Sequence, residues 1–284
     1  MKDRWNRDAR SVLKFRAGEK VGDIDTDATP GFTGKKKHAS TIQDERNDCF
    51  AELQELLYAN SRTDEGNQQS VLLVLQGMDT SGKGGIVKHV VGAGNPQGLR
   101  YTAFGVPTEE EKSHHFLWRI RKALPPAGHI GVFDRSHYED VLIVRVHNLV
   151  PPEVWGARYD EINAFEREIV DSGTTLVKVA MFVSLDEQKK RLTRRLNRPD
   201  KYWKYNPSDL DERKLWPAYQ EAYQAILDRT STDYAPWYVV PCDRKWYSRL
   251  AVTELLIGAL SDLQLAWPAA DFDVKAERRR LKHA

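Results

Sequence analysis

The apolar residues of the chain fall into five short runs, separated by stretches with helical spacing. The runs predict strands at Val71–Gln76, Tyr101–Phe104, Ile130–Phe133, Leu176–Val183 and Trp237–Val240. Helices are predicted from Ser40-Thr41 to just before Asn60 and near 86–91, 109–123, 153–172, 185–196, 210–227 and 246–263. Alternating strands and helices are typical of a parallel sheet. The pattern therefore predicts an α/β fold with a parallel sheet covered by helices on both faces.

The two ends of the chain lack this alternation. Residues 1–40 are polar and show no sustained period, which predicts an N-terminal arm. Residues 41–264 form the predicted catalytic domain, and residues 265–284 form a basic C-terminal tail. Residues 275–282 carry five bases and one acid, a composition more typical of a solvated helix end than of a specific binding site.

The composition excludes several classes of protein. With 284 residues, 40% hydrophobic and 30% charged, the chain is neither disordered nor fibrous. No apolar stretch approaches the roughly 18–20 residues that span a bilayer, and the segment Met1–Asp8 lacks the apolar region of a secretory signal. We therefore expect a cytoplasmic protein without a membrane partner. Cys49 and Cys242 are too few for a disulfide framework, and the eight histidines lack zinc-binding spacing.

The net charge of +2 conceals an uneven distribution. From Lys189 to Lys204 there are eight basic residues and one acid, Asp200, which gives this segment +7 and the rest of the chain −5. Helical spacing gives one common side to Arg191, Arg194, Arg195 and Arg198. The run is either a solvated helix face or a surface that binds a polyanion. The second interpretation is favoured because only one acid is present for local pairing.

Residues 77–84 read G-M-D-T-S-G-K-G and lie between a predicted strand and a predicted helix. This is the spacing of a phosphate-binding loop, in which backbone N–H groups face the anion and Lys83 adds a positive charge. A tight turn without a ligand is the alternative. The predicted loop residues are Gly77, Thr80, Ser81, Gly82, Lys83, Gly84 and Gly85. Gly84 replaces the hydroxyl residue that ordinarily binds magnesium, so we expect Asp79 to supply that oxygen.

A second candidate site begins at Asp134, directly after the apolar run Ile130–Phe133. A carboxylate at the carboxyl end of a neighbouring strand is where a nucleotide-binding α/β sheet holds a metal or orients a nucleophile. The alternative is that Asp134 or Ser136 caps the next helix. Beside a phosphate loop the functional interpretation is favoured. Asp79 and Asp134 are therefore predicted to bind Mg²⁺, with Mn²⁺ as the alternative ion.

Five motifs together resemble the polyphosphate kinase 2 family, and the resemblance covers roughly residues 42–260. They are G-M-D-T-S-G-K-G-G from Gly77, N-P-Q-G from Asn95, P-T-E-E-E from Pro107, F-D-R-S-H-Y-E-D-V from Phe133 and R-P-D-K-Y-W-K-Y from Arg198. Glycine at position 84 is normal for that family. The resemblance implies a P-loop kinase fold with a helical lid at about residues 189–216, which closes over the phosphates and excludes water.

The resemblance also implies an activity. It implies magnesium-dependent, reversible phosphoryl transfer from inorganic polyphosphate to ADP, AMP or both, by a homodimer or homotetramer. Catalytic roles are implied for Asp79, Lys83, Asp134, Arg135 and Arg195, with Arg195 reaching the transferring phosphate. Polyphosphate binding is implied for Lys83, Arg135, Arg194, Arg195, Arg198, Lys201 and Lys204. The H-Y-E-D-V motif resembles the subgroup that acts on both AMP and ADP, but that subgroup often has Asn in place of Asp134, which leaves the acceptor open.

Two other functions are compatible with parts of the pattern. An NTP-dependent nucleotide or small-molecule kinase on the same fold has a short donor and needs less charge than the +7 of this segment. A nucleic-acid-binding module explains the basic run but leaves the phosphate loop and Asp134 unexplained, so no nucleic-acid partner is expected. Trp203 and Trp216 are predicted to pack in the base of the lid rather than to stack on a nucleotide base.

Overall fold

The computed structural model describes residues 4–63 and 68–284. In this part of the chain, five parallel strands form one sheet in the order β2-β3-β1-β4-β5. The strands are β1 (Ser70–Gly77), β2 (Leu99–Ala103), β3 (Ile130–Asp134), β4 (Thr174–Phe182) and β5 (Trp237–Pro241). Each apolar run that predicted a strand forms one, and the predicted α/β fold is confirmed.

Helices surround this sheet. Among the described residues they are α1 (Ala9–Leu13), α2 (Lys36–Asn60), α3 (Lys83–His89), α4 (Glu109–Lys112), α5 (Trp118–Ala123), α6 (Ile143–Val146), α7 (Pro152–Asp171), α8 (Leu185–Leu196), α9 (Ser208–Lys214), α10 (Trp216–Thr230), α11 (Lys245–Ser261) and α12 (Val274–Leu281). Short 3₁₀ turns occupy Val21–Asp23, Val91–Ala93, Pro96–Gly98, His137–Val141 and Pro199–Lys204. No helix in the described part of the chain is both long and apolar enough to cross a membrane.

Two predicted helices are each split in the structure. The predicted helix over 109–123 consists of α4 and α5, because α4 ends at Lys112 and non-helical chain follows. The predicted helix over 210–227 consists of α9 and α10, with Leu215 between them. Pro217 at the start of α10 explains this break, since proline has no N–H to donate to a preceding helical turn and disfavours helical backbone before it.

The sheet is built around β1, whose residues from Val71 to Leu75 are fully buried. A parallel strand covered on both faces needs such a continuous apolar run. Register aligns the carboxyl ends of the central strands: Leu75 of β1 pairs with Asp134 of β3, and Gly77 pairs with Met181 of β4. The polar segments that follow these strands therefore emerge at one edge of the sheet.

The predicted N-terminal arm is part of the folded domain where the structure describes it; residues 1–3 of the arm, and 64–67 of the loop before β1, lie outside the described residues. Apolar arm residues enter the core at Ala9, Leu13, Phe15, Val21 and Phe32. The backbone N–H of Phe15 donates to the Trp237 carbonyl of β5 at 2.8 Å. Ala9 and Leu13 lie one turn apart on the five-residue helix α1, but Phe15, Val21 and Phe32 follow no helix or strand period, so the pattern of the sequence did not reveal these anchors. The arm covers the edge of the sheet at β5.

A fully buried ionic network lies behind the segment that follows β3. Nζ of Lys178 in β4 donates to Oε2 of Glu166 in α7 at 2.6 Å and to the Tyr138 hydroxyl at 3.0 Å, and that hydroxyl donates to Oε1 of Glu166 at 2.6 Å. Burial alone would raise the pKa of Glu166, but Lys178 and His137 hold it below its usual value. Burial lowers the pKa of Lys178. The network fixes Tyr138 and the turn that contains it.

Candidate functional site

The phosphate loop turns sharply between Gly77, at the end of β1, and Gly82, directly before α3. A side chain at position 77 would place its Cβ 2.6 Å from Oγ of Ser81 and 2.7 Å from the carbonyl oxygen of Met181, so only glycine fits. Gly82 has a φ of 122°, and Thr80, which is not glycine, has a φ of 66°. Left-handed backbone at a non-glycine residue costs about 1–3 kcal/mol and is concentrated at functional sites.

The side chains of the loop offer groups that can bind an anion. Nζ of Lys83 donates to the Gly77 carbonyl at 2.6 Å, which holds the ammonium group against the loop. The hydroxyls of Thr80 and Ser81 are buried and have no hydrogen-bond partner among the described residues. Buried polar groups are nearly always paired, so these hydroxyls are suited to a bound phosphate. Space is open at Gly84, where an added Cβ would meet no described atom within 4 Å.

Asp134 ends β3, beside the phosphate loop. Its Oδ2 accepts a hydrogen bond from the Tyr101 hydroxyl at 3.4 Å, and burial together with the charge of Asp134 raises the pKa of Tyr101. Arg135 follows with a left-handed φ of 65°, and its Nη2 lies 3.4 Å from Oδ1 of Asp79. The edge of the sheet thus gathers the two carboxylates predicted to bind metal and one guanidinium group.

The capping alternative for Asp134 does not describe the structure. Oγ of Ser136 accepts the Tyr138 N–H at 3.2 Å and caps the turn that follows β3, so Asp134 is not used as a cap. Farther along this turn, Glu139 accepts a hydrogen bond from Nε2 of Gln76 at 2.9 Å, and burial raises the pKa of Glu139.

Arg191 connects α8, the helix that carries most cations of the basic run 189–204, to the phosphate loop. Its side chain is buried and pairs with Glu187 one turn earlier, with Nε 2.9 Å from Oε1. Its guanidinium group donates to the backbone carbonyls of Thr80, Ser81, Cys242 and Asp243. Because its donors are engaged by protein, Arg191 connects α8, the loop and the segment after β5. Arg194 also lines the cavity, but in the described part of the chain its side chain donates no hydrogen bond to protein.

The remaining lid cations are partly paired within the lid. Nη1 of Arg195 donates to the Lys204 carbonyl at 2.8 Å and to Oδ2 of Asp209 at 3.3 Å. Asp209 is buried, which raises its pKa. Arg198 donates to both carboxylate oxygens of Asp200, at 3.0 and 2.9 Å. The single acid of the basic run therefore pairs with both Arg198 and Lys201. Among the described residues, no acid forms an ion pair with Lys189, Lys190, Arg194 or Lys204.

The prediction that Trp203 packs in the base of the lid is wrong. Its side chain lies in the 3₁₀ turn Pro199–Lys204 and is 77% exposed. Its indole N–H donates to the Asp200 carbonyl at 3.1 Å, and the Lys204 ammonium group lies 4.7 Å from its ring centre. No residue of this short turn is buried, so the turn offers no apolar surface against which the Trp203 ring could pack. Trp216 is partly buried against the core, which confirms the prediction for that residue.

One cavity of about 770 Å³ joins the phosphate loop, Asp134 and the lid. Apart from Gly77, it is lined by every residue that the sequence placed in the site. Among the described residues, its walls carry two acids, Asp79 and Asp134, and eleven Lys or Arg side chains: Lys83, Lys88, Arg135, Arg191, Arg194, Arg195, Arg198, Lys201, Lys204, Lys245 and Arg249. The cavity therefore matches a ligand with many negative charges.

Three of these cations were not predicted as site residues: Lys88 on α3, and the pair Lys245 and Arg249. Lys245 and Arg249 both lie at the beginning of α11, the helix that follows β5. Burial and the charges of Arg191 and Arg194 lower the pKa of Lys245 to about 8, and burial lowers the pKa of Arg249. The signal that could have found them is the four-residue spacing of two cations in the first turns of a helix that follows a strand of the sheet.

The carboxylates of the cavity fit a magnesium ion that is shared with phosphate. No group of three or more His, Cys, Asp or Glu side chains that could hold a metal occurs in residues 4–63 and 68–284. Magnesium does not need such a cage, because it is usually bound by one or two carboxylates, substrate phosphates and water. Asp79 and Asp134 line the same cavity as Lys83. Manganese prefers similar oxygen donors.

Comparison with known proteins assigns the family. The family model described as Polyphosphate kinase 2 (PPK2) matches residues 39–266. The chain belongs to the polyphosphate kinase 2 family. The motifs that predicted this family lie within the matched residues, and the prediction is confirmed.

Relatives within the polyphosphate kinase 2 family match most of the chain. It is 47% identical over 245 residues to the "AMP/ADP-polyphosphate phosphotransferase" of Meiothermus ruber, a match that covers 86% of this chain and 90% of that protein. It is 38% identical over 271 residues to the "ADP-polyphosphate phosphotransferase" of Rhodopseudomonas palustris, which covers 90% and 91%. The crystal structure of Polyphosphate Kinase 2 from Arthrobacter aurescens TC1 has a TM-score of 0.95 and 50% identity, with 99% and 98% of the chains covered.

Proposed function

We propose that the protein transfers a phosphoryl group reversibly from inorganic polyphosphate to ADP, AMP or both. The observation that carries the proposal is the single cavity in which the phosphate loop, Asp134 and the basic lid meet. A donor with many phosphates needs positive charge well beyond one loop lysine, and the eleven Lys and Arg side chains of the described lining supply it. The printed names of the relatives from M. ruber and R. palustris support this substrate class.

In this proposal the reaction needs no covalent intermediate with the protein. Phosphoryl transfer proceeds through a loose transition state, so positioning and positive charge are the main contributions of the enzyme. We assign charge stabilisation at the transferred group to Lys83, Arg135 and Arg195. Each of these side chains lines the cavity, and Arg135 also lies beside Asp79.

The basic residues of the lid bind the donor chain in this proposal. Arg194 lines the cavity from α8, Arg198 lines it from the position directly before the 3₁₀ turn, and Lys201 and Lys204 line it from that turn. Polyphosphate carries about one negative charge per unit, so binding releases counterions and weakens steeply with salt, as binding of other polyanions does. The same residues form one wall of the site when the lid closes.

Asp79 and Asp134 hold Mg²⁺ in the proposed enzyme, with Mn²⁺ as an alternative. When bound, the ion neutralises phosphate oxygens and orients the groups that react. The two carboxylates contribute charged oxygens at the mouth of the loop, and Arg135 limits the repulsion between Asp79 and the phosphates. Tyr101 donates to Asp134 and fixes the orientation of that carboxylate.

We propose that both ADP and AMP are acceptors. The relatives named above carry printed names that include AMP/ADP and ADP. A carboxylate beside the acceptor phosphates must be bridged by a cation or it repels them, so the charge of Asp134 affects AMP and ADP to different degrees. Asp134→Asn is expected to change the ratio of the two activities. An unchanged AMP-to-ADP ratio would remove Asp134 from acceptor selection.

The experiment that tests the function compares donors and ligands on the purified protein. We expect ATP formation from ADP and polyphosphate, and ADP formation from AMP and polyphosphate. In both reactions the phosphoryl group should pass to the nucleotide without release of free phosphate. Transfer from ATP to a small molecule without any use of polyphosphate would instead indicate an NTP-dependent kinase. Tight binding of RNA without transfer from either donor would indicate a nucleic-acid-binding module.

We further propose that the enzyme works in the cytoplasm as a homodimer or homotetramer. Two cysteines without a disulfide, Cys49 and Cys242, support a reducing compartment. Cell fractionation tests the location, and size-exclusion chromatography with light scattering tests the assembly.

A further inference from the structure

The cavity has a second basic wall that the proposed lid does not include. Lys245 and Arg249 line it from α11, and Lys88 lines it from α3, the helix that follows the phosphate loop. Nη2 of Arg249 lies 3.9 Å from the position that a Cβ would take at Gly85. This wall, formed by Lys88, Lys245 and Arg249, therefore adjoins the loop directly.

The cations from α11 are not balanced by acids. In the described part of the chain, neither Lys245 nor Arg249 forms an ion pair or a side-chain hydrogen bond. The charged groups that face Lys245 are Arg191, Arg194 and Glu187 from α8 and Arg249 from its own helix, so three cations oppose one acid. Partly buried cations without partners are costly. Such an arrangement is suited to an anionic ligand that supplies the missing charge.

The sheet order indicates which ligand that is. Asp134 ends β3, on one side of β1, whereas α8 and α11 follow β4 and β5 on the other side. The Asp134 side of the cavity also includes Ala103, Phe104 and Gly105, a lining that suits a nucleoside. The α11 side is lined by cations and by the polar side chains of His89 and Ser248. An extended polyanion fits that side better than a nucleotide does.

We propose that Lys245 and Arg249 form a subsite for the distal phosphates of the polyphosphate chain, those that are not being transferred. The proposal rests on the proposed function, because it takes the donor to be polyphosphate. It places the chain between the lid and α11, with the transferred end at the phosphate loop. Long donors have many phosphates beyond the transferred end that can occupy this subsite, and very short donors have few.

The test compares long-chain polyphosphate with tripolyphosphate. In the double variant Lys245→Met and Arg249→Met, the KM for long-chain polyphosphate is expected to rise about tenfold, which corresponds to about 1.4 kcal/mol. The slope of log affinity against log salt is expected to fall by about 2, because two phosphate contacts are lost. The KM for tripolyphosphate and the KM for ADP are expected to change much less. The matched control is Lys275→Met and Arg279→Met on α12, which has the same four-residue spacing on an exposed helix.

Affinity measured over a range of pH shows whether Lys245 contributes through its charge or through the space its side chain fills. The pKa of Lys245 is about 8, so the side chain is protonated below that pH and loses its charge above it. Affinity for long-chain polyphosphate is therefore expected to fall as the pH rises through about 8 in the native protein. Lys245→Arg keeps its charge at these pH values and is expected to remove that fall while retaining the affinity.

Defined outcomes overturn the proposal. A long-chain KM and salt slope unchanged in the double variant, or an equal rise for tripolyphosphate, would show that the distal phosphates bind elsewhere. A rise confined to the KM for ADP would assign the wall to the nucleotide. The affinity for polyphosphate in the absence of nucleotide is measured in parallel by calorimetry, for the native protein and the double variant. Polyphosphate binding that depends on Lys245, without any transfer, would contradict the proposed function and leave the subsite supported.

Discussion

Nη1 of Arg195 lies 3.3 Å from Oδ2 of Asp209, a buried carboxylate on α9, and also donates to the carbonyl of Lys204 at 2.8 Å. Two segments of the lid thereby fix the arginine that we assign to the transferring phosphate. A side chain as flexible as arginine loses considerable rotamer entropy when it is ordered. Asp209 holds the Arg195 side chain in one conformation before the substrate binds. Asp209 is therefore a positioning residue.

Asp209→Asn is expected to lower kcat about tenfold, the equivalent of about 1.4 kcal/mol of transition-state stabilisation, with a smaller effect on KM. The pKa of Asp209 is raised by burial, so the carboxylate protonates at a higher pH than usual and its hold on Arg195 weakens as the pH falls. In a plot of kcat against pH, the decrease of kcat at low pH should therefore be smaller in the variant than in the native protein. Asp211→Asn, on the exposed face of the same helix, is the control. An identical acid limb in both proteins would contradict the positioning role.

Lys83→Ala is expected to reduce kcat/KM about a hundred- to a thousand-fold, the range for loss of one group that stabilises transition-state charge. The side chain makes one hydrogen bond, to the Gly77 carbonyl, and adds little to the core. Unfolding stability should therefore stay within about 0.5 kcal/mol of the native value. Thermal melts and steady-state rates check both parts, with Lys275→Ala as the control. Native turnover without Lys83 would exclude the phosphate-loop assignment.

Two glycines of the loop should respond differently to alanine. At Gly77, the added Cβ would lie 2.6 Å from Oγ of Ser81 and 2.7 Å from a backbone oxygen, so the loop must shift. Gly77→Ala is expected to cost about 1–3 kcal/mol and to lower Tm by several degrees, at about 2–4 °C per kcal/mol. At Gly84, alanine meets open space and favours α3. Gly84→Ala should keep the native Tm or raise it, and calorimetry that ranks the two variants the other way would refute the loop geometry.

Asp79→Asn and Asp134→Asn should each raise the magnesium concentration that gives half-maximal activity, by about tenfold or more. Each change replaces a charged ligand oxygen by a neutral one at an ion bound by few protein groups. A chelator should abolish activity, and added Mg²⁺ or Mn²⁺ should restore it. Asp233→Asn at an exposed position is the control. Superimposable magnesium titrations for the native protein and both variants would place the metal elsewhere.

The lid arginines should separate by kinetic effect. Arg195→Ala should lower kcat, because it removes a contact made in the transition state. Arg198→Ala together with Lys204→Ala should mainly raise the KM for polyphosphate and flatten its salt dependence. Asp200→Asn should act in the opposite direction on KM, since Asp200 pairs with Arg198 through both carboxylate oxygens. If kcat survives without Arg195 and the salt slope survives without the other two cations, the basic run is a solvated helix face.

Much of the fold was predictable because its signals are local. The continuous apolar run of β1 reflects burial on both faces, and the glycines of the loop reflect a turn that only they can form. The N-terminal segment was not predictable in the same way. Apart from the one helical turn from Ala9 to Leu13, its anchors are isolated buried residues such as Phe15 and Phe32, and no period connects them. Trp203 was misassigned because apolar character alone does not show whether a neighbouring surface exists to cover the ring.

The sequence by itself determined the alternation of strands and helices, the phosphate loop, Asp134, the basic run and the family, because each depends on residues that are close along the chain. Only the tertiary structure decided which other charged side chains line the same cavity as these residues. The order of the strands brings α11 beside α8, so Lys245 and Arg249 enter a cavity whose other cations lie far away in the sequence. Within the lid, α9 likewise brings Asp209 to Arg195 of α8. The physical reason is that electrostatic partners are set by distance in space, and burial strengthens their interaction, whereas a sequence pattern records neither quantity.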